Sequence, residues 1–580
     1  MALEDYWGIG PKTSERLEAE LGTEAAIAAI ESADVRALTE AGLRRGRATR
    51  ILRRAGGGEG MEVLATRDAR AVYKDLLDLA SENALTTGAE DRIRVLTPLR
   101  TREAMERRLD AVMEAADSWE GLDAGVREAI VEAFADYDEA RGGDRAAVTV
   151  ALRLRELGVT EGVFAPIAEL DVDALEDAAD ALSALDDGTV REGVDDRLDR
   201  LRSSASDLEE LEGSAFDVLE SVREQGVRGT EELREALVGY LSRETAVSVD
   251  EIRRAAPDEA ADAADFVGET LRDLAGDLRD QAEDREREVR EDLEASIGDA
   301  RADVDAAVEA VEHIALYLSL ARFAIEYDLT RPGFSDERSL AVENARNLGL
   351  EASGEELQPV DYALGDHDLD LPDGDRVSVL TGANSGGKTT LLETLCSVAI
   401  LASMGLPVPA DRAEVCVADA VVFHRRHASF NAGVLESTLR SIVPPLSGEG
   451  RTIMLVDEFE AITEPGSAAD LLHGLVTLTV ERDAIGAFVT HLAEDLRPLP
   501  EEARIDGIFA EGLSRDLDLV VDYQPRFGEI GRSTPEFIVS RLIANAGERE
   551  ERVGFERLAE SLGEQVVQRT LEDARWAGGE

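Results

Sequence analysis

A chain of 580 residues, 44% of them hydrophobic, carries core material for several domains. Its 124 acidic against 62 basic residues leave a net charge of −62. The carboxylates run through the whole length, on stretches that also carry regular apolar positions, which excludes an acidic tail as their source. Lysine occurs only at Lys12, Lys74 and Lys388, and arginine supplies every other fixed positive charge. Such a surface predicts a cytoplasm of molar salt, as in a haloarchaeon, where the Debye length falls to about 3 Å and self-repulsion costs little. Net charge then does not exclude a nucleic-acid partner, although counterion release is weakened. Cys396 and Cys416 lie in apolar surroundings, which points to reduced thiols rather than a disulfide framework. No apolar run reaches the roughly eighteen residues of a membrane span, and the first residues are acidic rather than leader-like. The expectation is a soluble, cytoplasmic protein with no membrane partner.

Residues 1–55 form a small unit of their own. Asp5 to Gly22 contains a Gly8-Ile9-Gly10 turn, then Pro11 and Lys12 opening a helix with Leu17 and Leu21 on one face. A weaker copy follows from Ala37 to Arg54, with Gly42-Leu43 at its turn. The pair resembles helix-hairpin-helix DNA-binding motifs, whose glycine-turn amides contact backbone phosphate without reading sequence. The expected DNA contacts are Gly8, Gly10, Lys12, Arg44, Arg45 and Arg47. Together with Arg50, Arg53 and Arg54 these arginines make the one locally basic patch. Two helical hairpins packed as a structural cap is the other reading of the same residues.

Ala55 to Met61, AGGGEGM, reads as a linker. Residues 62–330 show apolar positions at three- and four-residue spacing almost throughout, which predicts a helical core. Glu269 to Val311 is longer and more charged, with a thin leucine and valine stripe, as expected of a lever or clamp helix that carries no chemistry.

After Arg331-Pro332-Gly333 the period changes, and residues 335–547 read as an α/β domain. Ser339 to Leu350 and the segment up to Asp375 alternate like short strands. Val377 to Gly382 then reads as a buried strand, TGANSGGKTT (Thr381 to Thr390) as a phosphate loop, and Leu391 to Gly405 as an apolar helix. That succession aims backbone N–H groups at phosphate oxygens, where the helix dipole also favours negative charge. The expected nucleotide contacts are Gly382, Ala383, Asn384, Ser385, Gly386, Gly387, Lys388, Thr389 and Thr390. Lys388 would reach the β and γ phosphates and Thr389 would hold Mg²⁺. Ala413 to His424 contains two strand-like runs. Ile453 to Val456 ends in Asp457-Glu458, as a parallel strand ends at a nucleotide site. Asp457 would serve Mg²⁺ and Glu458 would polarise the attacking water. A further strand, Gly486 to Val489, ends in Thr490-His491. There His491 would sense the γ-phosphate or position the water, the other reading being an ordinary surface or core histidine.

The succession TGANSGGKTTLLETL, HASFNAGVLES, MLVDEFEAITEPGSAADLL and VTHLAEDL resembles the ATPase domain of the MutS family, a branch of the ABC-type ATPases. Asn384 and the paired glycines of the loop are more specific to that family than the general phosphate-loop pattern. Thr86 to Glu114 is similar to the opening of its core helices, and Val521 to Gly547 to its closing strand and helix, with residues 548–580 as a helical dimerisation tail. The resemblance implies a multidomain chain, mostly α-helical in its N-terminal and lever regions, followed by an α/β P-loop (ABC-type) ATPase domain. It also implies ATP and Mg²⁺ as cofactors and the same roles for Lys388, Thr389, Asp457, Glu458 and His491. Ser429 and Asn431, before a helix from Ala432 to Ile442, would contact ATP held by the other subunit of a homodimer. By residues alone, Ser429 equally reads as a helix cap.

The departures from the family pattern are specific. The N-terminal hairpin unit stands where a mismatch-reading domain is expected, and no Phe-x-Glu wedge is found in a suitable context. The architecture is more similar to the second, short lineage, without the nuclease-like domain often found at its C-terminus. Glu460, Ile462 and Glu464-Pro465 replace the usual glycine-rich segment after the catalytic acid. The expected function is therefore an ATP-gated dimeric clamp on DNA repair or recombination intermediates rather than simple mismatches. The alternatives are a ribosome- or RNA-associated ATPase, or a clamp that uses ATP to dimerise with little hydrolysis.

Overall fold

The computed structural model describes all residues except 1–2, 7, 32–33, 58–59, 187, 225, 228, 259, 383–386, 427–431, 449, 460–464, 515–518, 532–534, 547–548 and 563–580. The chain divides into two compact units. One comprises Met1–Ala135, Glu161–Val163 and Glu312–Glu580, the other Asp136–Thr160 and Phe164–Val311. Among the described residues no helix is long and apolar enough to cross a membrane.

The first unit begins with α1 (Pro11–Glu20), α2 (Thr23–Glu31), α3 (Val35–Glu40) and α4 (Arg45–Gly57), which close on Leu17, Ile30, Leu38 and Ile51. Gly8 (φ 83°) and Gly42 (φ 86°) turn the chain ahead of α1 and α4 in the left-handed region that a side chain disfavours. Each turn is held by an arginine from the other copy. Arg47 Nη2 donates to the Gly8 carbonyl at 3.2 Å and Arg16 Nη1 to the Gly42 carbonyl at 3.2 Å. The expected linker is partly helix, since Ala55 to Gly57 complete α4 and Gly60–Glu62 form a 3₁₀ turn. Gly60 fits only because a Cβ there would meet the Pro98 carbonyl at 2.0 Å. Next come α5 (Arg67–Ser81), α6 (Thr87–Arg94), α7 (Arg102–Glu120) and the start of α8 (Ala124–Glu139). Thr66, Thr86 and Thr101 cap the first three of these by accepting from the amide three residues on.

The second unit is built from α9 (Asp144–Glu156), α10 (Ala165–Ala168), α11 (Val172–Ala184), α12 (Asp196–Gly213), α13 (Ala215–Arg223), α14 (Thr230–Glu244), α15 (Val249–Ala255), α16 (Ala263–Asp299) and the first part of α17 (Arg301–Glu326). A two-residue antiparallel pair, β1 (Leu185–Asp186) with β2 (Thr189–Val190), is its strand content among the described residues. At 1.5 Å per residue α16 is about 55 Å long. Its first half buries Leu271, Leu274 and Leu278 with Leu208, Val218 and Leu241. Its second half keeps only a thin stripe, Ala282 and Val289 against Leu198.

After α17 the first unit resumes with β3 (Gly333–Ser335), β4 (Ser339–Ala345), α18 (Leu348–Ser353), β5 (Val360–Gly365), β6 (Val377–Gly382), α19 (Lys388–Ser403), β7 (Arg412–Cys416), β8 (Ala420–His424) and α20 (Ala432–Leu446). It ends with β9 (Thr452–Asp457), α21 (Pro465–Glu481), β10 (Ile485–Val489), β11 (Ala503–Leu513), β12 (Leu519–Phe527), α22 (Pro535–Asn545) and α23 (Arg549–Leu562). Leu348 to Leu350, expected as strand, is helical. Asn347 caps α18 by accepting from the Leu350 amide, and its Nδ2 reaches Thr394 Oγ1 at 3.2 Å.

Six strands form one sheet in the order β12-β11-β6-β10-β9-β8, parallel except for β12. Every residue of β6, β9 and β10 is buried, as continuous apolar runs in a doubly covered parallel sheet require. Leu392, Leu395 and Ala399 of α19 cover one face, and Ile442 of α20 with Leu472 and Val476 of α21 cover the other. A second sheet runs β3-β7-β4-β5.

Buried Asp506 of β11 joins the two sheets. It accepts from Tyr362 Oη of β5 at 3.1 Å, Ser378 Oγ of β6 at 2.6 Å, Arg504 Nε at 3.0 Å and the Gly528 amide at 3.1 Å. Burial, and then the Asp506 charge, push the Tyr362 phenol well above its ordinary value, so it remains a donor. Removing one partner of a buried charged network leaves the others unpaired. Asp506→Ala is therefore expected to lower the unfolding free energy by about 3–5 kcal/mol in urea titrations at molar KCl. A loss below about 1 kcal/mol would show that the network does not support the sheet.

Candidate active site

The carboxyl ends of β6, β10 and β9 lie side by side, where open parallel sheets bind ligands. Register fixes the alignment, since Val489 is opposite both Leu380 and Asp457. Two main-chain bonds extend it past the strands, Thr490 N–H to the Leu380 carbonyl and Glu458 N–H to the Val489 carbonyl, both 3.1 Å.

Gly382 and Gly387 bracket the loop between β6 and α19. Residues Ala383, Asn384, Ser385 and Gly386 lie outside the described residues. Gly382 (φ 128°) leaves no room for a side chain, because a Cβ would meet the Ile508 carbonyl at 2.2 Å. Gly387 (φ 71°) is the N-cap of α19 and offers no side-chain cap to the helix amides, whose positive end favours an anion. Lys388 is buried, with Nζ donating to the Gly382 carbonyl at 2.9 Å. Thr390 continues the first turn of α19, and its carbonyl accepts from Thr394 Oγ1 at 2.9 Å.

Thr389 Oγ1 donates to Asp457 Oδ2 at 2.7 Å. The other oxygen, Asp457 Oδ1, is buried without a hydrogen-bond partner among the described residues. An orphaned buried acceptor is costly. One hydroxyl beside one carboxylate with a vacant lone pair suits Mg²⁺, which keeps waters and takes phosphate oxygens rather than an all-protein cage. Burial raises the Asp457 pKa above the usual carboxylate range, the Thr389 bond opposing it and the Glu458 charge adding to it.

Glu458 follows with φ 40°, a left-handed conformation that costs a non-glycine residue about 1–3 kcal/mol. Oε1 lies 3.1 Å from His491 Nε2 and Oε2 lies 2.6 Å from Arg426 Nη1. The His491 bond, ahead of the Arg426 and Lys388 charges, outweighs burial and holds Glu458 below its ordinary value, so it is ionised at neutral pH. The structure thus brings Lys388, Thr389, Asp457, Glu458 and His491 together. Ser429 and Asn431 lie outside the described residues, as do Glu460, Ile462 and Glu464.

Two neighbours escaped the sequence reading. Arg426 is the second residue past β8, and the run VVFHRR was its only signal. Tyr523, about two-fifths exposed, stands against the loop, where a Cβ on Gly387 would meet its ring at 2.8 Å. It comes from β12 and nothing local marks it.

In the N-terminal unit, Lys12 and Arg44 are exposed and Gly10 caps α1. Arg45 turns instead to Asp91 and Glu90, at 2.5 and 3.6 Å, and Arg47 to the Gly8 carbonyl and Thr13 Oγ1. Two of the expected DNA-binding arginines therefore also hold the fold.

The chain is similar to a DNA-binding protein MutS2 of Pyrococcus furiosus, 44% identical over 229 residues, 39% of this chain and 38% of the relative. It is also similar to DNA mismatch repair proteins MutS of Granulibacter bethesdensis, 29% identical over 333 residues (53% of this chain, 34% of the relative), and of Natronomonas pharaonis, 27% identical over 289 residues (47% and 32%). The chain spans less than two-fifths of the length of each of these relatives. No family model matches the chain. These similarities support kinship with the MutS family.

The two acids have opposite linkage to folding. A raised folded pKa means that the Asp457 carboxylate costs stability above the unfolded carboxylate value, a cost that fades as pH falls. A lowered one means that Glu458 contributes stability above its unfolded value, lost as pH falls through the folded one. Without Mg²⁺ or nucleotide, Asp457→Asn is expected to raise the neutral-pH unfolding free energy by about 1 kcal/mol, and Glu458→Gln to lower it, in thermal melts. A destabilised Asp457→Asn would contradict the orphaned-acid reading.

Proposed function

We propose that this chain is a Mg²⁺-dependent ATPase of the MutS family that acts as an ATP-gated homodimeric clamp on DNA. The observation that carries the reading is the hydrogen bond from exposed Thr389 to buried Asp457, whose other oxygen is a vacant acceptor, set between Lys388 and a Glu458 already oriented by His491. Lys388 would leave the Gly382 carbonyl for β and γ phosphate oxygens, while the α19 amides cradle the phosphates. Mg²⁺ held by Thr389 and Asp457 would neutralise charge on those oxygens. Glu458 accepts a proton from water as the water oxygen bonds to the terminal phosphorus and the bond to the bridging oxygen breaks, leaving ADP and phosphate. Tyr523 offers a ring face for the adenine.

Residues 1–55 are a helix-hairpin-helix unit whose glycine turns, Lys12 and Arg44 meet DNA phosphates, with Arg45 and Arg47 supporting those turns. Residues 62–330 are the core with clamp helices, 335–547 the ABC-type ATPase domain and 548–580 the dimerisation tail. Ser429 and Asn431 would complete the site of the other subunit. The names of the similar proteins support DNA as the partner. Closure on DNA would be coupled to nucleotide state by differential binding to the open and closed forms.

ATP turnover is measured in molar KCl, alone and with plain, mismatched and branched duplex DNA. Stimulation by branched DNA is expected, and Glu458→Gln should lower kcat by about 10²- to 10⁴-fold while ATP still binds. Normal turnover by Glu458→Gln would overturn the mechanism, and indifference to every DNA would overturn the partner.

A further inference from the structure

Hydrolysis as proposed leaves one ion pair unused. With His491 on one oxygen and Arg426 on the other, both oxygens of Glu458 are engaged. A carboxylate held in this way is a poor proton acceptor, so Arg426 must withdraw before Glu458 can serve as a base.

The two arginines after β8 are held differently. Arg425 is fixed, its Nε 2.9 Å from Glu393 Oε1 of α19 and its amide donating to Asp68 Oδ2 of α5 at 2.9 Å. Thr66 secures the strand just before it, with its hydroxyl donating to the Phe423 carbonyl at 2.6 Å and accepting from the Phe423 amide at 3.1 Å. Arg426 is tethered by its backbone, which donates to Asp457, whereas its side chain is 55% exposed and pairs with Glu458. It is a guanidinium on an anchored stem, next to the acids that face the phosphate loop.

We propose that Arg426 is the residue that distinguishes a nucleoside triphosphate from a diphosphate in this site. With the loop empty or filled by a diphosphate, Arg426 holds Glu458. A terminal phosphate carries about two negative charges and three oxygens against the single charge of the carboxylate, and its geometry suits the guanidinium fork. Arg426 therefore transfers to it, leaving Glu458 on His491 alone with one oxygen ready to take a proton from water. The inference rests on the ATPase reading and adds a specificity-determining residue to it.

The test uses the full chain in molar KCl, with Arg426→Gln, Arg426→Lys and Lys388→Ala. Equilibrium binding of a fluorescent non-hydrolysable ATP analogue and of fluorescent ADP is measured with and without Mg²⁺, beside steady-state hydrolysis. Arg426→Gln is expected to weaken triphosphate binding about tenfold, leave diphosphate binding unchanged and lower kcat, with Arg426→Lys restoring part of the preference. Equal weakening of both nucleotides, or an unchanged preference, would overturn the role of Arg426 while leaving the ATPase reading intact. Wild-type protein that binds neither nucleotide, or a Lys388→Ala chain that binds both normally, would overturn that reading and the inference with it. The half-exposed position of Arg426 favours folding of the variants, which their unfolding midpoints check.

Discussion

A carboxylate buried at the end of a parallel strand is the constraint on which the site depends. Asp457 is almost wholly desolvated, keeps one oxygen without a partner, and is held by the Thr389 hydroxyl and the Arg426 backbone. Such an arrangement costs stability and persists only where the surrounding structure over-determines it. Here that structure is a strand buried along its whole length, paired on both sides and continued by a strained Glu458 whose amide is tied to β10. The strain and the orphaned acceptor fall on consecutive residues, as they do where a fold is organised to receive charge rather than to be most stable without it.

The support beneath the phosphate loop is equally specific. Thr381 Oγ1 donates to the Asp506 carbonyl at 2.9 Å and accepts from the Gly531 amide at 2.7 Å, so β6, β11 and the segment after β12 converge where the loop begins. A Cβ on Gly531 would meet the Gly382 Cα at 2.9 Å, which makes glycine a packing requirement at both positions. Below them the Asp506 network clamps the second sheet to the first, and the Arg504 guanidinium lies 5.0 Å from the Phe527 ring centroid. The strand end at Gly382 thus stands on a closely packed floor, with the long side chains of Lys388 and Arg426 beside the carboxylates of Asp457 and Glu458.

Elements marked by local chemistry were legible in the sequence. β6, α19, β9 and β10 fall where apolar runs and their polar ends place them, because a buried strand and a ligand-facing turn each leave a local signature. What escaped depends on residues far apart in the chain. The order β6-β10-β9 is set by pairing between segments distant in the chain, Val489 with Leu380 and with Asp457, and the second of these pairings brings His491 to Glu458. Leu348–Ser353 is helical because the Asn347 side chain caps it, a signal that strand-like alternation in the flanking sequence masks. The basic look of the N-terminal unit concealed that Arg45 faces Glu90 and Asp91, which no spacing rule relates to it. Arg426 and Tyr523 become functional candidates only once β8 and β12 are seen beside the phosphate loop.

The central claim is that Thr389 and Asp457 form a metal seat completed by nucleotide phosphate. Electron paramagnetic resonance of Mn²⁺, titrated in molar KCl with and without ATP, tests it most directly. The account predicts one tightly held Mn²⁺ per chain that appears with ATP and is lost in Asp457→Ala and in Thr389→Ala. Mn²⁺ bound equally well by those variants, or no ATP-dependent Mn²⁺ on the wild-type chain, would contradict it.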